Sequence, residues 1–276
     1  MKTTDFFTLT NGVKIPAIGF GTWQIPNGKT AYNSVAAALK SGYRHIDTAQ
    51  AYGNEESVGK AILDSGIPRE EIFVTSKLPA EIKNYEKAKR HADLTMKNIG
   101  LDYIDLYLIH APWPWSEIGA DYTKENIEVW RAMEEFYESG YTRAIGISNF
   151  NVNDIDAILA NSRIKPMVNQ IKLHIGHSQA EISEHCRRNG IVVEGYSPLA
   201  TGKILSNRNI AEIAGKYGRS VAQLSIRYVL QKGAVPLPKS THPEYIEHNL
   251  DIDFAISEDD MMHLDGLATV QPRPWE

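Results

Sequence analysis

The 276-residue sequence has a single cysteine, little net charge and no long apolar run. One thiol, Cys186, cannot form an internal disulfide, so a fold stabilised by disulfides is excluded. A net charge of -5 argues against a broad surface for nucleic acid or for an anionic membrane. No stretch of about 18 apolar residues occurs, so we expect no membrane span. Since the first residues also lack the apolar segment of a secretory signal, we expect a cytoplasmic protein with a small-molecule partner.

Eight short β-rich runs alternate with helical patterns along the chain. Several helical segments end on glycine just before the next run, as in SGYRHID, ESGYTRAIGIS and RNGIVVEGYS, and glycine is the common left-handed C-cap of a helix. The runs start near residues 17, 45, 72, 104, 144, 167, 192 and 235. Strands that alternate with helices, without a linker, predict an α/β protein with one domain over residues 1–276. Eight such repeats are what a closed (β/α)8 TIM barrel requires.

Three further segments lie outside this repeat or qualify it. FFTLTNGVKIP has two β-like runs around Asn11 and Gly12, the pair typical of a two-residue turn, and predicts an N-terminal β-hairpin over the barrel floor. ISEDDMMHLDGL predicts an extra C-terminal helix with Ser257 as its N-cap. The tail QPRPWE is short and predicts a small C-terminal lid. Cys186 is expected to be a half-buried thiol on a helix.

Polar and aromatic residues stand where the predicted strands end. Active sites of (β/α)8 barrels lie at the carboxyl ends of their strands, so these residues are the candidates for function. Asp47 ends the second run, with Tyr52 in the loop after it, and Lys77 and His110 end the third and fourth runs. The other residues in such positions are Trp23, Ser148, Asn149, Gln170, Tyr196 and Lys239.

Taken in order, eight motifs at these strand ends resemble the aldo-keto reductase family over nearly the whole chain: GFGTWQ, HIDTAQAYGNE, VTSKL, YLIH, GISNF, NQ, GYSPL and PLPKS. The resemblance implies an enzyme that reduces aldehydes and ketones, small dicarbonyls or keto-sugar acids among them. We expect this enzyme to be a monomer. The resemblance also implies a nicotinamide cofactor, usually NADPH, bound across the barrel mouth. GFGTWQ agrees with this, because it lacks the third glycine of a Rossmann fingerprint.

The resemblance implies that Tyr52, Asp47, Lys77 and His110 form a catalytic tetrad. Tyr52 would give a proton to the alkoxide that develops during reduction. The ammonium group of Lys77 would lower the pKa of Tyr52, and Asp47 would pair with that ammonium. His110 would donate a hydrogen bond that orients the substrate carbonyl.

At the nicotinamide end of the cofactor, the resemblance implies contacts from several strand ends. Tyr196 would stack on the nicotinamide ring, which fixes the ring face presented to the substrate. Three polar side chains would hold the carboxamide: Ser148, Asn149 and Gln170. The loop at the pyrophosphate would be lined by Ser197 and Leu199.

At the adenosine end, the resemblance assigns Lys239 and Ser240 to the 2′-phosphate and Asn249 to the adenine. Tyr245 stands where members that prefer NADPH commonly have an arginine. We therefore expect NADPH to be used, with NADH tolerated unusually well, and Tyr245 to stack on adenine.

The predicted substrate pocket departs from the family. Pro79 and Ala111 replace tryptophans that many members have, and tryptophans occur instead at positions 113 and 115. We expect Trp23 and Trp113 to form an apolar wall beside His110.

Two other functions stay open at this level. Lys77 could be the nucleophile of a Schiff-base aldolase, or the barrel could be a regulatory protein that holds the cofactor as a sensor. We predict no metal site, although His174 and His177 lie close together in sequence and His185 and Cys186 follow. Zinc usually needs a third ligand at a motif-like spacing, which the sequence lacks.

Overall fold

The computed structural model describes residues 1–268. Eight parallel strands pair in sequence order from β3 (Phe20–Gly21) to β10 (Ala234–Leu237), and β1 (Phe6–Thr8) and β2 (Lys14–Pro16) form a separate antiparallel hairpin. Backbone hydrogen bonds of 3.0 Å from Gly19 to Pro236 and from Gly21 to Pro238 join β3 to β10 and close the barrel. The predicted (β/α)8 barrel is thus confirmed. The strands are β1 (Phe6–Thr8), β2 (Lys14–Pro16), β3 (Phe20–Gly21), β4 (His45–Asp47), β5 (Phe73–Leu78), β6 (Leu106–Ile109), β7 (Ile145–Ser148), β8 (Val168–Lys172), β9 (Val192–Tyr196) and β10 (Ala234–Leu237).

The helices surround the barrel, and each buries one apolar face against it. In α4 (Thr123–Glu138), for example, Trp130 and Met133 are buried whereas Glu128 is exposed, as the spacing of the apolar residues predicts. Within residues 1–268, no helix is long and apolar enough to cross a membrane. The helices are α1 (Lys29–Ser41), α2 (Glu55–Asp64), α3 (Tyr85–Ile99), α4 (Thr123–Glu138), α5 (Val152–Asn161), α6 (Ala180–Arg188), α7 (Arg208–Lys216), α8 (Val221–Gln231), α9 (Pro243–His248) and α10 (Glu258–Asp265).

The N-terminal hairpin forms as predicted, but its turn differs. Leu9 N–H donates to Val13 O at 2.8 Å, so three residues and not two connect the strands. A two-residue Asn-Gly turn needs positive φ at both residues, and here Gly12 has it (φ 85°) whereas Asn11 does not. The Asn11 side chain instead donates to Arg143 O at 2.9 Å and ties the turn to the bottom of the barrel.

The hairpin covers the amino-terminal end of the barrel. Leu9 and Ile15 are buried with Leu106, Leu108 and Val235, which fill the lower interior with apolar side chains. The interior directly above the hairpin is therefore apolar.

Two local predictions have different outcomes. Ser257 caps α10 as expected, since its Oγ accepts from Asp260 N–H at 3.2 Å. The prediction that Cys186 is half-buried is wrong, because the side chain faces inward from α6 and is fully buried. Burial raises the pKa of Cys186 to about 11, which keeps the thiol protonated and unreactive. The tail 271–276, with its predicted lid, lies outside the described residues.

Helices α2 and α3 touch at Gly59, and this contact supplies a stability test. A Cβ at Gly59 would lie 1.7 Å from Ile99 O, so Gly59→Ala must push the helices apart. We expect it to lower the free energy of unfolding by about 1–3 kcal/mol. The control is Gly215→Ala on α7, where a Cβ meets nothing within 4 Å and a gain of about 0.5–1 kcal/mol is expected. Urea denaturation measures both changes, and equal midpoints for the two variants would contradict the close contact.

Candidate active site

Three consecutive barrel strands, β4 to β6, bring the predicted tetrad together. Asp47 ends β4, and a short 3-10 turn then carries Tyr52 back over the strand ends, where Gly53 closes the turn with φ 67°. Asp47 pairs with Thr75 of β5, so Lys77 lies two residues further along, on the same face of that strand. The alternation of the strand thus points Lys77 toward Asp47.

The Lys77 ammonium group is buried and fully hydrogen-bonded. Its Nζ lies 2.8 and 2.7 Å from the two carboxylate oxygens of Asp47 and 2.8 Å from Thr48 O. The Tyr52 hydroxyl lies 3.3 Å away. Burial alone would lower the pKa of Lys77, but the charge and the hydrogen bonds of the Asp47 carboxylate outweigh it and raise that pKa. A protonated, fully occupied amine cannot attack a carbonyl, which argues against the aldolase alternative.

Lys77 lowers the pKa of Tyr52, as expected, but it is not the largest influence on that pKa. Burial raises the pKa most and Asp47 raises it further, so the net pKa lies above the ordinary value of 10.0. The net direction follows from desolvation of the phenolate, which the sequence did not reveal. Tyr52 therefore holds its proton at neutral pH.

His110 lies beside Tyr52, with 5.5 Å between the ring centroids and an angle of 71° between the planes. Burial, with a smaller contribution from Lys77, holds the pKa of His110 well below its ordinary value. The imidazole is therefore neutral and has one ring N–H to donate.

A polar group continues below the tetrad into the barrel. Gln170 Nε2 donates to both Asp47 Oδ2 and Glu194 Oε2, each at 2.8 Å. Glu194 is completely buried, and burial together with Asp47 raises its pKa to about 8. His45 Nε2 lies 3.6 Å from Glu194 Oε1, and burial and Lys77 lower the pKa of His45 to about 3. At neutral pH, Glu194 thus carries a proton and His45 is neutral.

The residues assigned to the nicotinamide end share one side of the barrel mouth. Ser148 Oγ donates to Gln170 O at 2.8 Å, and Asn149 Nδ2 donates to Ser148 Oγ at 3.0 Å and to His110 O at 2.9 Å. Tyr196 OH donates to Asn149 Oδ1 at 2.8 Å. These groups therefore form one hydrogen-bonded cluster next to His110.

The residues assigned to the rest of the cofactor lie in the loops after β9 and β10. Ser197 and Leu199 are half-buried, and Ser197 has a φ of 52°. After β10, Lys239 is exposed and makes no hydrogen bond or ion pair within residues 1–268, and Ser240 follows it.

The last two assigned residues lie in helix α9 and directly after it. Tyr245 is 57% exposed, and its ring centroid lies 5.4 Å from that of His242. Asn249 is buried directly after the helix.

Two tryptophans of the loop after β6 pack one on the other and extend from His110. Trp115 packs edge-on against His110 with ring centroids 5.6 Å apart, and Trp113 packs on Trp115 at 5.2 Å. Trp23, 46% exposed, lies in the loop after β3. Trp115, which the sequence reasoning left out of the wall, is thus the tryptophan that contacts His110.

The described residues contain no group of three or more His, Cys, Asp or Glu side chains that could hold a metal ion. The rings of His174 and His177 lie 5.3 Å apart, and His185 Nε2 pairs with Asp156 at 2.8 Å.

A sequence profile described as the Aldo/keto reductase family matches residues 17–269. The chain belongs to this family. It is 44% identical to the glyoxal reductase of Bacillus subtilis (strain 168) over 276 residues, which cover 99% of this chain and 97% of that protein. The crystal structure of an aldo/keto reductase from Brucella melitensis, 40% identical, has a TM-score of 0.88 and covers 95% of this chain and 99% of that one. The crystal structure of an aldo-keto reductase of Bombyx mori in complex with NADP, 32% identical, has a TM-score of 0.85 and covers 96% of this chain and 93% of that one.

Sequence reasoning missed the buried acid of this aldo/keto reductase. Glu194 lies two residues before Tyr196 in VVEGY and so shares its face of β9. A glutamate inside an apolar strand run was the signal that could have located it, since buried carboxylates are rare unless paired.

The buried proton on Glu194 predicts a dependence of stability on pH. The pKa of Glu194 is about 8 in the folded protein, above the ordinary value of 4.5. Between these two pH values the folded chain holds a proton that the unfolded chain has lost, so folding takes up a proton. Stability should therefore fall between about pH 5 and pH 8, by up to about 1.4 kcal/mol per pH unit from this group. Glu194→Gln removes that contribution, so the melting temperature of the variant, relative to that of the wild type, should increase as the pH rises.

Thermal unfolding of both proteins across this pH range measures the difference, and the subtraction cancels the other titrating groups. Glu86→Gln, at an exposed position on α3, is the control and should follow the wild type. Parallel curves for wild type and Glu194→Gln would rule out a proton held at Glu194.

Proposed function

We propose that this chain is an NADPH-dependent reductase that converts aldehydes and ketones to alcohols, with Tyr52 as the proton donor. Small dicarbonyls and keto-sugar acids are the substrates proposed. The observation that carries the proposal is the Tyr52 hydroxyl, 3.3 Å from the Lys77 ammonium group and packed against the ring of His110. Family membership supports it, as does the relative that is itself a glyoxal reductase.

The proposed chemistry divides between the cofactor and Tyr52. Reduced nicotinamide would supply a hydride to the carbonyl carbon, and Tyr52 would donate its proton to the carbonyl oxygen. Burial keeps that proton on Tyr52 before the reaction, and the Lys77 charge stabilises the phenolate left afterwards. Asp47 holds Lys77 in place and protonated.

In this proposal, His110 orients the substrate. A neutral imidazole donates a hydrogen bond to the carbonyl oxygen without adding a second cation beside Lys77. Its contacts with Tyr52 and Trp115 fix the ring on two sides. The donor is thus aimed before the substrate arrives, which is the condition for effective electrostatic catalysis.

The residues at the mouth fit a nicotinamide dinucleotide. The cluster of Ser148, Asn149 and Tyr196 offers amide and hydroxyl groups beside an aromatic ring, as a carboxamide-bearing ring requires. Lys239, unpaired in the described chain, is available to a phosphate. Backbone strain also concentrates here: Gln24, Asn149, Ser197, Ala200 and Thr201 have positive φ and lie in loops at the carboxyl ends of strands. Such strain is typical of ligand-binding loops.

We also propose that Trp23 and Trp113 contribute to the substrate wall. The residues proposed to contact the cofactor are Ser148, Asn149, Gln170, Tyr196, Ser197, Leu199, Lys239, Ser240, Tyr245 and Asn249. We further propose that the enzyme is monomeric, acts in the cytoplasm and folds as one domain over residues 1–276. Sedimentation of the purified protein tests the first of these.

Tyr52→Phe should abolish nearly all carbonyl reduction while the affinity for NADPH persists, because the ring stays and the proton donor is lost. Turnover with an unactivated aldehyde should fall at least 100-fold, a typical contribution of general acid catalysis. Loss of NADPH absorbance measures turnover, and a fluorescence titration measures cofactor binding.

A variant that keeps more than about a tenth of wild-type turnover would show that Tyr52 is not the acid. Borohydride treatment in the presence of a carbonyl substrate is the companion control. It should leave no adduct on Lys77, whereas an aldolase would be trapped there.

Tyr245→Arg should raise the preference for NADPH over NADH. An arginine at this exposed position would make a charge-assisted contact with the 2′-phosphate, worth about 1.5–3 kcal/mol. The ratio of kcat/KM for the two cofactors should then rise roughly 10- to 100-fold. Met262→Arg, at a 65% exposed position on α10, controls for added charge and should leave the ratio unchanged. An unchanged ratio in Tyr245→Arg, or a wild type that rejects NADH by more than about 1,000-fold, would refute this account.

A further inference from the structure

Three successive carbonyl groups after β6 are each held by a side chain from a different element. The donors come from the loop after β5, from α4 and from the end of β7. The hydrogen bonds are Asn149 Nδ2 to His110 O (2.9 Å), Lys83 Nζ to Ala111 O (2.8 Å) and Asn126 Nδ2 to Pro112 O (2.7 Å). Backbone carbonyls of a loop normally face water, so three in a row bound by side chains indicate a segment held in one conformation.

Lys83 and Asn126 act as a pair within this arrangement. Lys83 Nζ also donates to Asn126 Oδ1 at 2.9 Å, so each of the two side chains binds one carbonyl and the other side chain. The hydrogen-bond partners of the Lys83 ammonium group are neutral oxygens. Burial lowers the pKa of Lys83 to about 7, although Glu81, Asp154 and Glu125 oppose the shift from a distance. Burying a lysine without a carboxylate partner costs free energy, so a contribution to stability does not explain why a lysine is present here.

The held segment joins two side chains of the candidate active site. His110 precedes it, and Trp115 follows within three residues of Pro112. The Trp115 ring returns onto His110, with centroids 5.6 Å apart and planes at 87°. The carbonyls of residues 111 and 112 are fixed, so the loop leaves His110 along a fixed path up to Pro112, three residues before Trp115.

We propose that Lys83 and Asn126 are positioning residues, which hold His110 and Trp115 in place through the backbone of residues 111 and 112. The inference rests on the proposed function, in which His110 orients the substrate carbonyl. The two residues act only through that loop. A shift of about 1 Å in an orienting group can cost about 100-fold in rate, so loosening the loop should slow the reaction.

The test uses Lys83→Met, Asn126→Ala and the double variant, with Lys124→Met as the control. Lys124 is exposed on α4 and lines the same surface cavity as Lys83, and its variant removes an equal charge. We expect kcat/KM for the carbonyl substrate to fall about 10-fold in each single variant. The double variant should fall no further than the stronger single one, because either substitution already breaks the pair. The Kd for NADPH should stay within about twofold of wild type, since neither residue is assigned to the cofactor.

Lys83→Gln supplies a conservative variant that keeps one donor without the charge. It should recover most of the activity lost in Lys83→Met, which a role of the charge alone would not permit. It also serves as the decisive variant if Lys83→Met does not fold.

Several results would overturn the inference: turnover in Lys83→Met equal to that in Lys124→Met, single effects that multiply in the double variant, or a loss of NADPH affinity in parallel with turnover. The proposed function fails separately. An active Tyr52→Phe variant would sink that function, whereas an inactive Tyr52→Phe beside a fully active Lys83→Met would sink only the inference about the loop.

Discussion

The buried ion pair between Lys77 and Asp47 is the interaction on which the barrel mouth depends. An ammonium group without contact with water keeps its charge only if a carboxylate and further acceptors surround it, and Asp47 and Thr48 meet that requirement. The pair in turn sets the protonation of its neighbours. Asp47 helps to keep a proton on Glu194, and Lys77 helps to keep His110 neutral. Opposite charges at the centre are thus ringed by neutral groups, which avoids like-charge repulsion in a dry site.

The division of the barrel interior makes this arrangement effective. Apolar side chains fill the lower part beneath the N-terminal hairpin, so water has no access from below. The polar groups are stacked above them, from Glu194 through Gln170 to Asp47 and the open mouth. Electrostatic effects are strong where the surroundings polarise weakly, so fixed charges at the mouth act on a substrate with little screening.

The sequence predicts the barrel and the grouping of the tetrad because strands that follow one another in sequence are neighbours in a (β/α)8 barrel. Once Asp47, Lys77 and His110 are placed at strand ends, parallel pairing brings them together. What sequence leaves open depends on magnitudes and on loop paths. Burial raises the pKa of Tyr52 and Lys77 lowers it. The direction of the net shift is known only when the depth of burial of the hydroxyl is known. Trp115 packs on His110 because of the path that its loop takes, and no sequence motif gives that path.

The seam of the barrel has a consequence for how the chain folds. Strand β3 has only two residues, and two backbone hydrogen bonds, from Gly19 and Gly21, join it to the last strand. This seam joins the first and last strands of the barrel, whereas each of the remaining strand pairs in the barrel joins immediate neighbours in sequence. Distant contacts carry the largest loss of chain entropy when they form first and a smaller one when the intervening strands are already paired. We therefore expect the barrel to grow as an open, curved sheet and to close at this seam late, with the amides of Gly19 and Gly21 among the last in the barrel to gain protection from hydrogen exchange.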